Sequence, residues 1–439
     1  MLFKSQLAKS VGQATHWALT RFTRSDGSSL PGKIALQLDP SILASLSEDY
    51  EIIVVTGTNG KTLTTALLAK ALSDYFPHVI TNSSGSNMIQ GIVGSFLTAK
   101  SAPKGERKFA VLEIDEGSLN KIMAHLQPNL FLHTNLFADQ LDRYGSVENV
   151  YQLLLKAAKT YPEAKVVANG DLPLFHTHDL SNPIIYYGST IGEASQAIDN
   201  CPHCGQPLTY HSHTYANLGD YICEHCGFKR PDLAYVLDDL GLMTMNHAHF
   251  TLDGLPFDLP LGGLYNIYNA LAAYSVAREL GVPSSHIQES FRTFTKVSGR
   301  QEIIQIEDKS VQLHLYKNTV GLEETLKLLN QKQETFTLMM VLNNTPADGE
   351  DISWIEDTNF DAMKDYNIQG DITIAGTQRQ ALKERLLDAE VTTESIELVP
   401  TYKELLSRIQ QAPTKSIEIL VNYSAMLEIR AAFKEAGYL

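Results

Sequence analysis

The chain has 439 residues, 44% of them hydrophobic and 19% charged, a composition that can bury a sizeable core and excludes a disordered or coiled-coil protein. At roughly 150 residues per domain this length predicts two or three domains. Lys and Arg number 35 against 50 Asp and Glu, a net charge of −15, which argues against a nucleic-acid binder, whose affinity needs a basic footprint.

The first 25 residues carry Lys4, Lys9, Arg21 and Arg24 and no acid. They lack the continuous apolar stretch of a secretory signal. Composition alone is also compatible with a mitochondrial presequence, but the segment reads as an amphipathic helix with a solvated basic face, at the front of a cytoplasmic protein. The longest apolar runs, such as Ile52 to Val55, fall far short of the ~20 residues that a membrane span requires.

Tyr50 to Val55 predicts a buried strand and Leu63 to Ser73 a helix. Between them lies Thr56-Gly57-Thr58-Asn59-Gly60-Lys61-Thr62. Strand, glycine loop and helix in that order make a phosphate-binding loop, here shorter than the common eight-residue form. Glycines let backbone N–H groups converge on phosphate oxygens, Lys61 adds a point charge, and the Thr62 hydroxyl can serve a magnesium ion. Phe109 to Ile114, Leu130 to Thr134 and Lys165 to Ala168 predict further strands. They end in Glu113-Ile-Asp115-Glu116, in Asn135 and in Asn169-Gly170-Asp171. With helices between them, such as Val150 to Lys159, this alternation predicts a mostly parallel α/β sheet with its site at the strand C-termini.

The four cysteines, Cys201, Cys204, Cys223 and Cys226, form two CxxCG pairs with 18 residues between them. That spacing predicts a zinc ribbon: each pair aims two thiolates at one ion, and four thiolates leave no open position, so the zinc is structural. No thiol then remains as a nucleophile. His203 and His225 are read as bystanders, and His211 and His213 as solvated loop residues. Residues 264–280 resume as a helix. Beyond Ser298-Gly299-Arg300, strands at Leu338 to Leu342, Ile372 to Ile374 and Ile417 to Val421 predict a second Rossmann-like domain. The expected division is 1–47 as N-terminal helix and lead-in, 48–298 as an ATP-binding domain with a ribbon inserted at about 197–230, and 299–439 as the C-terminal domain.

The TGTNGKT loop resembles that of the Mur ligase superfamily, and other segments match it over roughly residues 33–330. Glu113 resembles that family's magnesium-binding glutamate. Asn135-Leu-Phe-Ala-Asp139-Gln140-Leu-Asp142 resembles N-x-x-x-D-H-L-D, with Gln140 where His is usual. Asn169-Gly-Asp171 resembles N-x-D. Gly263-Leu-Tyr265-Asn266-Ile-Tyr-Asn269 resembles G-x-H-N-x-x-N, and Ser298-Gly299-Arg300-Gln-Glu302 the G-R-x-E hinge. The resemblance implies ATP and Mg²⁺ as ligands. It makes Gly57, Thr58, Asn59, Gly60, Lys61, Thr62, Asn266, Asn269 and Arg300 nucleotide-binding residues, Thr62 and Glu113 magnesium ligands, and Lys61, Glu113 and Asp139 catalytic candidates. The departures narrow it. The loop begins at residue 56, so the usual UDP-substrate domain is missing. Counting to the family's carbamoylated lysine lands on Lys156 from one side and Leu155 from the other, and that assignment stays open. The C-terminal D-Y-A-H-N-P is replaced by His314-Leu-Tyr-Lys317-Asn318-Thr-Val-Gly321.

A Mur-like core without the UDP domain and with a four-cysteine ribbon resembles the MurT family of synthetase subunits. That resemblance implies ATP-dependent amidation of the D-glutamate α-carboxylate of lipid II. Ammonia would come from a GatD-like glutaminase partner, and the lipid-linked substrate would draw the protein to the inner face of the membrane. It also implies that a carboxylate of this chain completes the partner's Cys–His pair. The acidic stretch Ala347–Asp357 offers Asp351 first, then Asp357 and Asp348, against a plain reading as a solvated loop or helix cap. Two other functions stay open: an amino-acid ligase of the folylpolyglutamate synthase or Mur type, and a non-catalytic nucleotide-bound scaffold.

Overall fold

A computed structural model describes residues 2–22, 29–82, 88–100, 103, 105–295, 302–391 and 395–439. Helices Leu2–Phe22, Ser29–Leu38 and Ile42–Ser47 lead in. The strands that follow are β1 (Glu51–Thr56), β2 (Val79–Thr81), β3 (Phe109–Glu113), β4 (Leu130–His133), β5 (Lys165–Asn169) and β6 (Ile184–Ser189). They run parallel and join three later strands, β10 (Tyr235–Thr244), β11 (His247–Leu252) and β12 (Leu255–Leu259), in the order β12-β11-β10-β6-β5-β4-β1-β3-β2. The strand β1 is buried from Ile52 onward, as its β-branched run requires when both sheet faces are covered. It pairs in parallel with β3 on one side and β4 on the other. The chain order therefore reverses at β1, and the crevice opens at its C-terminal end, where the glycine loop begins.

Between β6 and β10 a separate antiparallel sheet of β7 (Glu193–Asn200), β8 (Pro207–His213) and β9 (Gly219–Ile222) carries the cysteine pairs. His211 and His213 lie in β8 rather than in a loop, and the His213 ring meets the Ala216 carbonyl at 2.7 Å. The β-ladder decides this: alternate residues of β8, Leu208 and Tyr210, are buried in the ribbon's own small core. The antiparallel hairpin of β11 and β12 is a further feature that strand-and-helix alternation does not announce.

The C-terminal sheet contains β13 (Glu302–Ile306), β14 (Lys309–Leu315), β15 (Thr337–Val341), β16 (Ile372–Ala375), β17 (Ile396–Leu398) and β18 (Ser416–Val421), in the order β13-β14-β18-β15-β16-β17. All its pairings are parallel except that of β13 with β14. The last strand, β18, inserts between β14 and β15, so the loops after those three strands cluster at one edge. Two apolar clusters cover the two faces of this sheet. Among the described residues no helix is long and apolar enough to cross a membrane.

One buried charge cluster sits inside that sheet. Glu418 of β18 accepts from Lys332 at 2.5 Å and meets the His314 ring at 2.6 Å. Burial alone would raise its carboxyl, but His314 and Lys332 outweigh burial and hold it down at about 2, from an ordinary 4.5. A depressed folded pKa contributes stability that is fully present above 4.5 and is lost as pH falls toward about 2. We expect Glu418→Gln to cost on the order of 3 kcal/mol at neutral pH, because it leaves the half-buried Lys332 ammonium without its anion. Urea denaturation should show the gap to wild type narrowing below pH 4.5; a gap independent of pH would contradict this assignment.

Candidate active site

A cavity of about 450 Å³ opens where the C-terminal edges of the two parallel sheets face each other. On one wall the helix Lys61–Ser73 begins directly after the glycine loop, so its N-terminal dipole points into the cavity. Gly60 caps that helix at φ +83°, and a Cβ there would lie 1.9 Å from the Asn269 amide oxygen. Only glycine satisfies both the left-handed backbone and that close approach. Asn269 thus braces the loop, and it also accepts from the Thr64 hydroxyl at 3.3 Å. Asn266 donates to the Gly262 carbonyl at 2.6 Å and lines the cavity beside it.

Lys61 is buried and donates to the Gly57 carbonyl at 2.5 Å and to Glu116 at 2.9 Å. Burial pulls the ammonium down, but Glu116 outweighs it and holds Lys61 above its ordinary value, so Lys61 is charged; burial in turn raises the Glu116 carboxyl, with Lys61 opposing. Glu116 also accepts from the Gly57 N–H at 3.1 Å. No sequence motif assigns a role to Glu116; its position three residues after Glu113 is the available signal. The Thr62 hydroxyl donates to Glu113 at 3.0 Å, which brings together the two residues expected at magnesium. Asn82 exchanges hydrogen bonds with the Glu113 backbone, at 2.8 Å each way, and fixes this end of β3. A hydroxyl and a carboxylate oxygen in contact beside a buried lysine are donors that would suit a magnesium ion, which would neutralise phosphate charge there.

The C-terminal domain supplies the opposite wall. Asn318 and Asn59 exchange amide hydrogen bonds at 3.1 and 3.2 Å. Asn318 also caps the helix Thr319–Asn330 by accepting from Gly321 N at 3.0 Å. Lys317 donates to Asp139 at 2.9 Å, which places Asp139 in a contact between domains. From the next turn Glu324 lines the cavity, and Tyr215, from the loop after β8, lines it too. Neither Glu324 nor Tyr215 is marked by any local sequence motif.

The remaining predicted residues fall elsewhere. Arg300 lies outside the described residues. Lys156 is exposed on the helix Val147–Thr160, Leu155 is buried in the core, and neither lines the cavity. Asp351 is exposed, and the Ser353 N–H, donating at 2.8 Å, holds its carboxyl below the usual range. Asp357 is exposed on the next short helix. Asp348 is buried and committed, accepting from Ser424 N at 2.8 Å and from the Thr345 hydroxyl at 2.7 Å.

The four cysteines meet at one point, with all sulfurs within 4.8 Å of one another. The Cys201–Cys226 and Cys204–Cys223 separations are 3.6 and 3.5 Å. Disulfides need about 2.05 Å, whereas a tetrahedron with Zn–S of 2.3 Å places sulfurs about 3.8 Å apart. The two knuckles are built alike: Gly205 N donates to Cys201 O, and Gly227 N to Cys223 O, at 2.8 and 2.9 Å. Both glycines have positive φ, +73° and +76°, with open space around them, so backbone conformation alone selects glycine here. Arg230, just past the second knuckle, pairs with buried Asp171 at 2.9 Å, and Asp171 also accepts from Tyr268 at 2.7 Å. The ribbon is thereby tied to the core through the Asn-Gly-Asp segment.

Comparison with known proteins agrees with this architecture. The Mur ligase middle domain family matches residues 55–217, and the MurT ligase C-terminal family matches 315–426. A Streptococcus pneumoniae (strain ATCC BAA-255 / R6) protein, "Lipid II isoglutaminyl synthase (glutamine-hydrolyzing) subunit MurT", is 45% identical over 98% of this chain and 97% of its own. Its counterpart in Staphylococcus aureus (strain COL) is 34% identical over 86% of each. Among solved structures, a pseudomurein peptide ligase type C from Methanothermus fervidus superposes with a TM-score of 0.67 at 20% identity, covering 90% of this chain and 81% of that one. MurF ligase from Thermotoga maritima, solved with ADP, gives 0.62 at 14% identity over 91% and 84%. At these identities the two structures establish the fold.

Proposed function

This chain belongs to the MurT family of Mur-type ligases, and on that premise we propose that it is the ATP-dependent synthetase subunit of a lipid II isoglutaminyl synthase. Its substrate is the α-carboxylate of D-glutamate in the lipid II stem peptide. A carboxylate is not amidated directly near neutral pH, because hydroxide leaves poorly. Transfer of the ATP γ-phosphoryl group gives an acyl phosphate, from which ammonia displaces phosphate. The observation that carries this reading is the cavity in which Lys61, Thr62 and Glu113 meet, closed by the C-terminal domain, in a chain that matches a MurT relative end to end.

Lys61 turns from Gly57 and Glu116 toward the incoming phosphates, and Glu116 keeps the ammonium charged until then. Thr62 and Glu113 would hold Mg²⁺, which when bound neutralises charge on the transferring group. Asn266, Asn269 and Arg300 serve the nucleotide. Asp139 and Lys317 orient the closing wall. All four cysteines are gathered in the ribbon, so ammonia comes from a partner subunit of the GatD glutaminase type. With ATP, Mg²⁺, lipid II and ammonium chloride, the isolated chain should release ADP in step with amide formation, and Lys61→Ala should lower the rate about 10²-fold or more. ADP release stimulated by an amino acid and not by ammonium would establish the amino-acid ligase reading instead.

The ribbon holds one structural zinc ion on Cys201, Cys204, Cys223 and Cys226. Cys204→Ser should lower both zinc content and melting temperature, because a structural site contributes directly to folding. Protein purified without chelator and found free of zinc would refute this.

Asp351 is the carboxylate we assign to the partner's Cys–His pair. It is exposed and ionised at the rim of the loop whose Ala347 lines the cavity, whereas Asp348 is consumed inside the fold. Asp351→Asn should leave ammonium-driven amidation intact while sharply lowering glutamine-driven amidation in the assembled complex. Equal loss with both nitrogen sources would move this residue into the synthetase site.

A further inference from the structure

The cavity's carboxylates are divided between its walls. Glu113 and Asp115 stand on the phosphate side, where Glu113 accepts from Thr62 and Asp115 faces Arg143 at 3.8 Å. On the opposite wall, among the described lining residues, Glu324 is the only carboxylate. It lies in the first turns of the helix Thr319–Asn330 and is 7% exposed. One of its oxygens accepts from Lys327 at 2.7 Å, and the other receives no hydrogen bond from a described residue. A helix-surface i,i+3 pair needs no such burial; Lys327 itself is 59% exposed. A carboxylate at this depth costs desolvation that one exposed lysine repays only in part.

Amidation of an acyl phosphate needs an acceptor on the side from which the nucleophile arrives. The ammonia nitrogen carries no proton acceptor of its own once its lone pair is committed to carbon. The other polar side chains lining the C-terminal wall are Lys317, which is paired with Asp139, Thr325, whose hydroxyl donates to the Gly321 carbonyl at 2.8 Å, and the phenols Tyr316 and Tyr423. Burial holds the Tyr316 phenol far above its ordinary range, so it is no base.

We propose that Glu324 is the catalytic base of the amidation step, receiving ammonia on the wall opposite Lys61 and taking the proton it sheds. This rests on the amidation reading given above. The nitrogen lone pair forms the C–N bond to the acyl carbon. The C–O bond to the phosphoryl group breaks, its electron pair leaving with inorganic phosphate. One N–H proton passes to the Glu324 carboxylate and from there to solvent. Burial raises the Glu324 carboxyl above its ordinary value, with Lys327 opposing; Glu323 on the same helix raises it further, and His213 of the ribbon opposes. Tyr215, also against the ribbon side, is kept neutral by burial. A raised carboxyl is a stronger base than a solvated one.

The test uses the full chain with ATP, Mg²⁺, lipid II and ammonium chloride, over a range of pH, with rates expressed per concentration of unprotonated ammonia. Glu324→Gln should lower kcat about 10²-fold, raise the KM for ammonia, leave the KM for ATP and for lipid II unchanged, and remove the acidic limb of the pH profile. Glu324→Asp should restore part of kcat and keep that limb. ATP-induced thermal stabilisation equal to wild type identifies a folded variant, and if Glu324→Gln does not fold, the Asp variant carries the test. Wild-type kcat and ammonia KM in the variant overturn the proposal. So does a rise in the lipid II KM alone, which would assign Glu324 to an amine of the acceptor. A wild-type chain that amidates while Glu324→Gln amidates equally overturns only this role; a wild-type chain that forms ADP only with an amino acid overturns the amidation reading itself.

Discussion

Two side-chain amides, Asn59 and Asn318, each donate to and accept from the other across the junction of the two α/β domains. Asn59 belongs to the glycine loop and Asn318 to the first position before a helix of the C-terminal domain. Because Asn318 is also that helix's cap, the helix cannot move without disturbing the loop. The same two residues sit beside a second contact between domains, the ion pair of Lys317 with Asp139. Together they set the distance between the walls, and the cavity volume and the placement of Glu324 follow from it.

That geometry is possible because both sheets present their C-terminal edges. In each, a strand is inserted between two others so that polar loops gather at one end: β1 between β3 and β4, and β18 between β14 and β15. Helix N-termini face inward from both sides, so the space between them favours negative charge. The buried Lys61–Glu116 pair fits this environment. An ammonium buried alone would lose its proton or unfold the loop, whereas Glu116 keeps it charged and ready for a stronger anion.

The ribbon contributes more than stability. Its knuckles are fixed by backbone geometry at Gly205 and Gly227, and its base is fixed by Arg230 on Asp171. Fixing both ends positions the loop between β8 and β9, from which Tyr215 packs edge-on against Tyr268 at 5.4 Å and reaches the cavity. A cysteine ribbon far from the chemistry therefore shapes the wall on which chemistry takes place.

The sequence by itself determined the local chemistry. The order strand, glycine loop, helix made Lys61 and Thr62 legible, because a phosphate loop is specified by residues adjacent in the chain. Two CxxCG knuckles made the ribbon legible for the same reason. Strand ends marked Glu113, since side chains at the C-terminal edge of a parallel sheet follow directly from the alternation of strands and helices. Tertiary structure alone decided the rest. Glu116 pairs with Lys61 across 55 residues, and Asn59 with Asn318 across 259, separations that no local pattern encodes. Asn269 was legible as a site residue, but its brace on Gly60 was not, because that contact exists only once the helix carrying it packs against the loop. The acidic stretch after β15 reads as one cluster; folding splits it, burying Asp348 under the N-terminus of the helix Tyr423–Glu435 and leaving Asp351 in solvent, because donors from that distant helix reach Asp348 while Asp351, among the described residues, accepts only from its neighbour Ser353. No motif marks Glu324, yet it lies on a cavity wall, since which face of a helix is buried is settled by what packs against it.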